Sequence, residues 1–251
     1  IEALPVGNGR LGAMVFGAPA KEHIQFNEET LWTGEPHEYH HEGAVNYLPQ
    51  IRQLLFAGKQ KEAEELAMRH FMSVPLRQKA YQAFGDLYLY FSGHENATHY
   101  RRELNLDTAI VKITYKVKGI EFSREIFSSA VHQVLAIRIR ADKKNAINVT
   151  GTFNSPHELA GTAVNDENQL VLNGTVRDGV IGFEARAVFL NKGGEIKYEE
   201  SCINIHQASE VIIYLVAATS FENFQDVSGD PGKKCHEFLR NLNGLTFNYV
   251  K

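Results

Sequence analysis

The most recognisable spacing lies near the start of the chain, where residues 7–12 (GNGRLG) match the GxGxxG pattern of dinucleotide-binding loops. Glu28 or Glu29 would then be the acidic residue, about 20 positions further on, that binds a ribose hydroxyl. Such a loop needs a helix directly after its glycines, because the helix N-terminus holds the pyrophosphate. Residues 11–17 are short and strand-like instead, so an Asn-Gly turn leading into a strand is favoured and nucleotide binding is a distant alternative.

The densest imidazole cluster is HEYHH at 37–41, just after a glycine and a proline that predict a loop. Metal binding needs ligands that converge on one point, so we expect a flexible polar loop and no metal site. A loop that holds His37, Tyr39 and the nearby Trp32 could equally contact a sugar. Aromatic faces stack on sugar C–H groups, while imidazoles and carboxylates bond to hydroxyls.

Signals for a hydrolytic nucleophile, such as GxSxG or HExxH, do not occur in the sequence. Glutamate pairs do occur, at 28–29, 64–65 and 199–200. Glycoside hydrolysis requires two carboxyl groups that flank the scissile bond, and the pairs on their own do not place two groups in that way. At this point the residues leave open whether any of these carboxyl groups is catalytic.

Residues 27–34 (NEETLWTG) carry the only tryptophan of the chain within a polar run. A lone tryptophan often belongs to the core. Thr30, Thr33 and Gly34 make an edge or loop position plausible here, because small polar residues are typical of turns. Trp32 is therefore the best single candidate for contact with a partner surface.

The composition is bland: 251 residues with 26 basic and 30 acidic side chains give a net charge of −4. This balance gives no excess of positive charge that would attract nucleic acid or an anionic membrane. No run of residues approaches the roughly 20 apolar residues that a membrane-spanning helix needs. Cys202 and Cys235 stand alone, which indicates neither a zinc site nor a disulfide framework, although one disulfide stays open. We expect no cofactor, no nucleic-acid partner and no membrane partner.

The spacing of apolar residues changes from a helical period to a strand period along the chain. Apolar residues recur at helical spacing over about 49–71, with Gly58 dividing two short helices. From Gly85 the period changes to two, in runs at 86–91, 100–106, 109–117, 121–128, 133–141, 146–154, 169–176, 181–190, 203–206 and 210–217. Residues 118–119 and 192–194 stand where hairpin turns are expected, 155–168 is a predicted loop, and 235–242 is a predicted helix. Closely spaced strands without intervening helices predict a mainly β fold, a large antiparallel sandwich with a helical insertion and a C-terminal helix.

Several ordered motifs together resemble the N-terminal domain of glycoside hydrolase family 95. They are residues 4–17 (LPVGNGRLGAMVFG), 25–34 (QFNEETLWTG), 81–89 (YQAFGDLYL), 100–109 (YRRELNLDTA), 217–221 (AATSF) and 226–231 (DVSGDP). The resemblance covers nearly the whole chain. It implies a single N-terminal β-super-sandwich domain over 1–251, cut from a longer enzyme, since the chain starts at Ile1 and stops where the family enters its linker.

The resemblance implies an inverting α-L-fucosidase acting on α-1,2-linked fucose, with α-L-galactosidase activity in some members. In that family a helical (α/α)6 barrel supplies a glutamate as general acid and asparagines with an aspartate that activate water. Nothing in this chain matches the barrel, so the resemblance implies that no catalytic residue lies in this segment. The expected partners are therefore the protein's own C-terminal barrel and a fucosylated oligosaccharide as substrate of the longer enzyme. The compartment stays open, with export to the periplasm or outside the cell as the expectation that the family carries.

The expected role of the chain is to brace the barrel and shape the rim of its cleft. Candidate contacts to substrate or barrel are Asn8, Arg10, Asn27, Glu28, Thr30, Trp32 and His37, whose side chains suit polar interdomain contacts. An alternative is that both stretches merely shape turns within the sandwich. An alternative function is an autonomous carbohydrate-binding module that uses the segment around Trp32.

Overall fold

The computed structural model describes residues 2–251 as two antiparallel sheets packed face to face. The strands are β1 Leu4–Gly7, β2 Leu11–Val15, β3 Lys21–Glu28, β4 Gly85–Tyr90, β5 Thr98–Asn105, β6 Ile110–Val117, β7 Ile120–Ser129, β8 Val134–Ala141, β9 Ile147–Asn154, β10 Gly161–Val164, β11 Leu170–Thr175, β12 Gly182–Lys192, β13 Glu195–Tyr198, β14 Ile203–Ala208 and β15 Glu210–Thr219. A seven-stranded sheet has the order β1-β2-β3-β4-β9-β14-β13, and an eight-stranded sheet has the order β10-β11-β12-β15-β8-β7-β6-β5. The predicted mainly β sandwich is confirmed.

The core lies between the two sheets and follows from the period-two pattern. Alternate side chains of each strand point inward, so Phe26 of β3 packs through Phe84 onto Phe183 of β12 in the other sheet. Buried aliphatic residues from both sheets continue this core without a break. Burying such side chains contributes about 1.5–3 kcal/mol each, which makes the sandwich the main source of stability.

A second apolar layer covers the outer face of the eight-stranded sheet. Helices α3 (Pro231–Arg240) and α4 (Phe247–Val250) place Cys235, Leu239 and Phe247 against Val134 and Val216. Helix α3 begins four residues earlier than predicted because the Asp230 carboxylate accepts a hydrogen bond from the Lys233 amide at 3.0 Å. Both cysteines are free thiols.

The predicted helical insertion is present as α1 (Leu48–Phe56) and α2 (Gln60–His70), preceded by a short 3-10 turn at Ala44–Tyr47. Gly58 divides the two helices with a φ of 72°, a left-handed conformation that favours glycine. Each helix buries a single residue, Ile51 or Ala63, so the insertion lies outside the main core.

Two expectations about connections were wrong. Residues 192–194 do not form a hairpin turn, because β12 belongs to the eight-stranded sheet and β13 to the seven-stranded one, so this segment crosses between sheets. The predicted loop at 155–168 contains strand β10, a short edge strand. Residues 118–119, in contrast, form the predicted hairpin between β6 and β7.

A buried ion pair crosses the core near the β2–β3 connection. Arg124 and Glu22 have fully buried side chains, and Nη1 of the arginine lies 2.9 Å from Oε2 of the glutamate. The same guanidinium donates to the carbonyl of Ala18 at 2.8 Å and to the hydroxyl of Tyr115 at 2.7 Å, and it lies 3.9 Å above the ring of Phe91. The pair therefore fixes the β2–β3 connection against the opposite sheet.

His94 packs beside this pair and should make stability depend on pH. Burial, followed by the nearby positive charge of Arg124, lowers the pKa of His94 to about 4. Between pH 4 and the unfolded pKa of about 6.5 the unfolded chain binds the extra proton, so stability is lost as the pH falls through this window. We expect the loss to be about 1–3 kcal/mol.

Urea unfolding of the wild-type chain and of His94→Asn at pH 7 and pH 4.5 measures this loss. The asparagine amide stands near the ring Nδ1 and can keep the contact that His94 makes with the Tyr115 hydroxyl at 3.0 Å. The variant should lose less stability than the wild type on acidification. An equal loss in both proteins would show that His94 does not titrate in this window.

Candidate functional site

One end of the sandwich, here called the turn end, gathers the segments that carry the predicted site residues. The end of β3 pairs with the start of β2 and with the start of β4, so the β1–β2 turn and the loop after β3 lie side by side. Links to the other sheet complete this end: the Thr30 and Thr219 hydroxyls are in contact, and Gly34 forms a bridge with Gly179. Antiparallel pairing thus brings distant parts of the chain together.

Residues 7–12 form the β1–β2 turn of an antiparallel hairpin, so the geometry of a dinucleotide-binding βαβ unit is not present at this motif. Asn8 shapes the turn, because its Oδ1 accepts hydrogen bonds from the amides of Arg10 at 3.0 Å and Leu11 at 2.8 Å. Its Nδ2 donates to the carbonyl of Ser129 in the other sheet at 3.0 Å. Asn8 therefore joins the two sheets at the turn end.

Arg10 connects three further segments through one guanidinium. Its Nε donates to Gln133 Oε1 at 2.7 Å, and its Nη1 donates to the carbonyl of Ala217 at 2.6 Å. Nη1 also lies 3.4 Å from Oε1 of Glu28, and the group stacks 4.6 Å from the ring centroid of Phe238 on α3. Arg10 thereby ties the turn to β15, to the β7–β8 connection and to α3.

Glu28 is almost completely buried and has its own set of donors. Its Oε2 accepts hydrogen bonds from the Thr30 amide at 2.8 Å and the Thr30 hydroxyl at 2.6 Å. Asn27 is likewise engaged, because its Oδ1 accepts from the Phe84 amide at 3.0 Å. Five of the predicted residues thus form the inner support of the turn end, and their side chains make hydrogen bonds to other groups of this domain. They are Asn8, Arg10, Asn27, Glu28 and Thr30.

Replacing Arg10 with methionine should lower the free energy of unfolding by about 2–3 kcal/mol, because Glu28 would be left buried without its cation. Chemical denaturation of the purified chain measures the change. Arg52→Met, at an exposed position on α1, is the control and should change stability by less than about 0.5 kcal/mol. Similar values for both variants would mean that the Arg10 contacts contribute little.

Trp32 and His37 lie outside this support, on the loop that follows β3. The Trp32 side chain is 41% exposed, its Nε1 donates to the Glu29 carbonyl at 2.9 Å, and its ring packs 5.4 Å from that of Tyr81. His37 contacts the ring of Tyr39 edge-on at 5.1 Å, and its Nε2 lies 2.7 Å from the Val74 carbonyl oxygen. These residues present aromatic surface to solvent.

Three adjoining clefts surround this loop, with volumes of about 360, 260 and 470 Å³. Tyr39 lines all three. Lys79 and Asp178 line the first, Phe224 the second, and Trp32 the third. Shallow clefts that combine aromatic rings with a few polar groups suit contact with a sugar or with a polar protein surface.

Sequence reasoning missed other side chains that belong to this surface. Tyr81 is one: its hydroxyl donates to the Glu28 carbonyl at 3.1 Å, and burial together with the Glu28 and Glu29 charges raises the pKa of its phenol. Phe224 is another, an exposed residue that lines the second cleft, and the exposed residues Met72, Val74 and Leu76 lie in the loop whose Ser73 and Pro75 line the other two. Met72, Val74 and Leu76 alternate as in a strand, but Pro75 stands among them and the segment is a loop, so only their apolar character within a polar, proline-containing segment could have indicated them.

Within residues 2–251, no group of three or more His, Cys, Asp or Glu side chains is arranged to hold a metal ion. No helix in the same range is long and apolar enough to cross a membrane.

The sequence of this sandwich is that of an N-terminal domain of glycoside hydrolases. Residues 1–224 match the family model described as "Glycosyl hydrolase family 65, N-terminal domain", and the chain belongs to this family. Among curated proteins it is 36% identical over 179 residues to alpha-L-fucosidase 2 of Arabidopsis thaliana, a match that covers 70% of this chain and 21% of that protein. It is 29% identical over 170 residues to the probable alpha-fucosidase A of Aspergillus niger, covering 65% and 20% respectively.

The chain therefore spans about a fifth of the length of the curated relatives it matches. Among solved structures, a putative kojibiose phosphorylase from the human microbiome superposes with a TM-score of 0.49 at 9% identity, over 98% of this chain and 34% of that one.

Proposed function

We propose that this chain is the noncatalytic N-terminal domain of a longer α-L-fucosidase of the family 95 type, and that it braces a helical catalytic barrel and shapes the rim of its cleft. The observation that carries the proposal is the 36% identity to an alpha-L-fucosidase of which the match covers only 21%. The substrate of the longer enzyme would be a fucosylated oligosaccharide.

The chemistry of the turn end supports a noncatalytic role. An inverting glycosidase needs a protonated carboxyl group and a water-activating base roughly 6.5–9.5 Å apart on opposite sides of the scissile bond. Glu28, the best-placed carboxylate in the predicted site, is buried and accepts two hydrogen bonds from Thr30 while it faces Arg10. These contacts engage both carboxylate oxygens within the domain, and the burial of the side chain leaves it without access to a substrate.

The exposed surface of the turn end supports the bracing role. Several aromatic and aliphatic side chains are exposed there, namely Trp32, Tyr39, Met72, Val74, Leu76 and Phe224. Phe224 alone is 78% exposed. Concentrations of apolar side chains on a surface mark protein contacts, with aromatic residues enriched at their centres. Covering these side chains with another domain would remove them from water and couple the stability of the two parts.

Calorimetry of the longer protein tests the bracing role. The double variant Trp32→Ala/Phe224→Ala should lower the unfolding temperature of the barrel by several degrees, because the barrel would lose part of its support. Tyr90→Ala, at an exposed tyrosine of β4 outside the turn end, is the matched control and should leave that temperature unchanged. A barrel that unfolds at the wild-type temperature in the double variant would contradict the proposal.

The second candidate, an autonomous carbohydrate-binding module, is favoured by the exposed ring of Trp32 beside the cleft of about 470 Å³ that Trp32 and Tyr39 line. Titration calorimetry of the 251-residue chain against fucosylated glycans separates the two functions. Millimolar or tighter binding that Trp32→Ala abolishes would favour the module. Heat changes no larger than those of dilution would leave the bracing role as the function of this surface.

A further inference from the structure

The outer face of the seven-stranded sheet over β3, β4 and β9, here called the open face, differs from its counterpart on the other sheet. Helices α3 and α4 pack on β8, β12 and β15 of the eight-stranded sheet. On the open face the outward side chains of β3, β4 and β9 are partly or fully exposed instead. This surface lies along the sheet and is separate from the loops of the turn end.

A row of stacked rings crosses the open face. The rings of Phe16 and His23 are 4.3 Å apart and nearly parallel, and His23 stacks in turn on Tyr88 at 4.8 Å. Tyr90 follows, with its ring 6.2 Å from that of Tyr88. Lys21 places its Nζ 4.4 Å from the Tyr88 ring centroid and 5.3 Å from that of Tyr90, so the tyrosines are held in position by their neighbours.

Tyr90 is the member of this row that is available to a partner. Tyr90 is 40% exposed at the end of β4, whereas His23 stacks on the Tyr88 ring and the Lys21 ammonium lies closer to that ring, at 4.4 Å, than to the ring of Tyr90, at 5.3 Å. A tyrosine offers a large amphipathic contact area and loses little conformational entropy when it binds, because only two side-chain torsions must be fixed. The preorganised ring therefore suits a flat, partly apolar ligand.

Hydrogen-bonding side chains surround the rings in register. Across the strands, Gln25 of β3 stands opposite Asp86 of β4, and Asp86 stands opposite Asn154 of β9. Tyr88 and Tyr90 stand opposite Thr152 and Thr150 in the same way. Amide and hydroxyl groups thus flank the aromatic row on the β9 side. The hydroxyls of Thr150 and Thr152 donate within the domain, to Asn204 Oδ1 and to the Ser201 carbonyl, so toward a ligand their oxygens act as acceptors.

The charges of the open face nearly cancel. Lys21 is balanced by Asp86, whose Oδ1 lies 2.6 Å from Nε2 of His23. A nucleic acid would need clustered basic side chains, and a stable protein contact would need an apolar centre of aliphatic and aromatic residues. A neutral ligand that is rich in hydroxyl groups and flat on one side suits this face, because its flat side can stack on the rings and its hydroxyl groups can bond to the amides.

We propose that the open face binds a neutral glycan chain, with one sugar stacked on Tyr90 and its neighbours bonded to the side chains of β4 and β9. Adjacent strands are about 4.8 Å apart, so a chain that crosses β3, β4 and β9 has a track of about 10 Å, enough for about two sugar units. This inference does not depend on the bracing role, because it concerns a different surface.

Native gel electrophoresis of the 251-residue chain tests the proposal, with galactomannan, xyloglucan or mixed-linkage β-glucan cast into the gel. At least one of these neutral polysaccharides should retard the chain relative to serum albumin in the same gel. Tyr90→Ala should weaken the retardation by about tenfold in dissociation constant, because the exposed ring is the stacking platform. Tyr90 is exposed, so its removal leaves the core intact.

A control variant assigns the result to one surface. Tyr249→Ala removes an exposed tyrosine of α4, on the opposite side of the sandwich, and it should be retarded like the wild type. The proposal is overturned if none of the polysaccharides retards the chain, or if Tyr90→Ala is retarded as strongly as the wild type, which would assign any binding to another surface.

Discussion

Arg124→Met should lower the free energy of unfolding by about 3–5 kcal/mol, the cost typical of leaving one partner of a buried ion pair without its counter-charge. Arg124 and Glu22 both have 0% exposed side chains and lie 2.9 Å apart at their closest atoms. The methionine cannot replace the bonds to the Ala18 carbonyl and the Tyr115 hydroxyl. Urea unfolding followed by tryptophan fluorescence and circular dichroism measures the change.

Two further variants show whether charge is the cause. In Glu22→Gln/Arg124→Met the remaining partner is neutral and can still accept the bond from the Gly17 amide, so about 1–3 kcal/mol of the loss should return. Arg101→Met breaks a surface pair with Glu103 in which both side chains are exposed, and it should cost less than about 1 kcal/mol. A double variant no more stable than Arg124→Met alone would mean that lost packing, and not buried charge, dominates.

Gly194→Ala should be the second most damaging single change, with an expected loss of about 3 kcal/mol or more. Gly194 lies in the segment that crosses from β12 to β13, with a φ of 69°. A Cβ atom there would stand 2.0 Å from the carbonyl oxygen of His206, a backbone atom that cannot move aside without disturbing β14. Steric overlap therefore adds to the cost of the left-handed conformation.

Gly193→Ala is a matched control for this variant. Gly193 has a similar φ of 73°, but its Cβ would meet only side-chain oxygens, those of Asn145 at 3.2 Å and Ser209 at 3.6 Å. Its cost should be limited to the left-handed strain of about 1–2 kcal/mol. Equal unfolding free energies for the two variants would show that the contact with β14 is not tight.

Most of the fold could be predicted from the sequence because the signal was local. The alternation of β9 and β12 between core-facing and outward residues defines strands without knowledge of their partners. The crossing at 192–194 could not be predicted in this way. Two glycines after a strand are equally suitable for a hairpin and for a change of sheet, and the choice depends on where β13 finds its partner.

The candidate site shows the same division between local and distant information. The residue types mark the motif as chemically distinctive, and the structure brings Asn8, Arg10 and Glu28 into one network at the turn end. Their partners, such as Gln133 and Ala217, are more than a hundred positions away, so the sequence could not show that these polar groups bond inside the domain. Whether any of the predicted site residues contacts substrate or barrel stays a prediction.

The most direct test of the proposed function is an assay of fucose release from a 2′-fucosylated oligosaccharide, run side by side with the 251-residue chain and the longer protein that contains it. The account predicts release by the longer protein and, for the chain alone, no release above the rate without protein, because the acid and the water-activating base would lie in the barrel. Release by the chain alone at a rate comparable to that of the longer protein would contradict the account, since the catalytic groups would then have to lie within this sandwich.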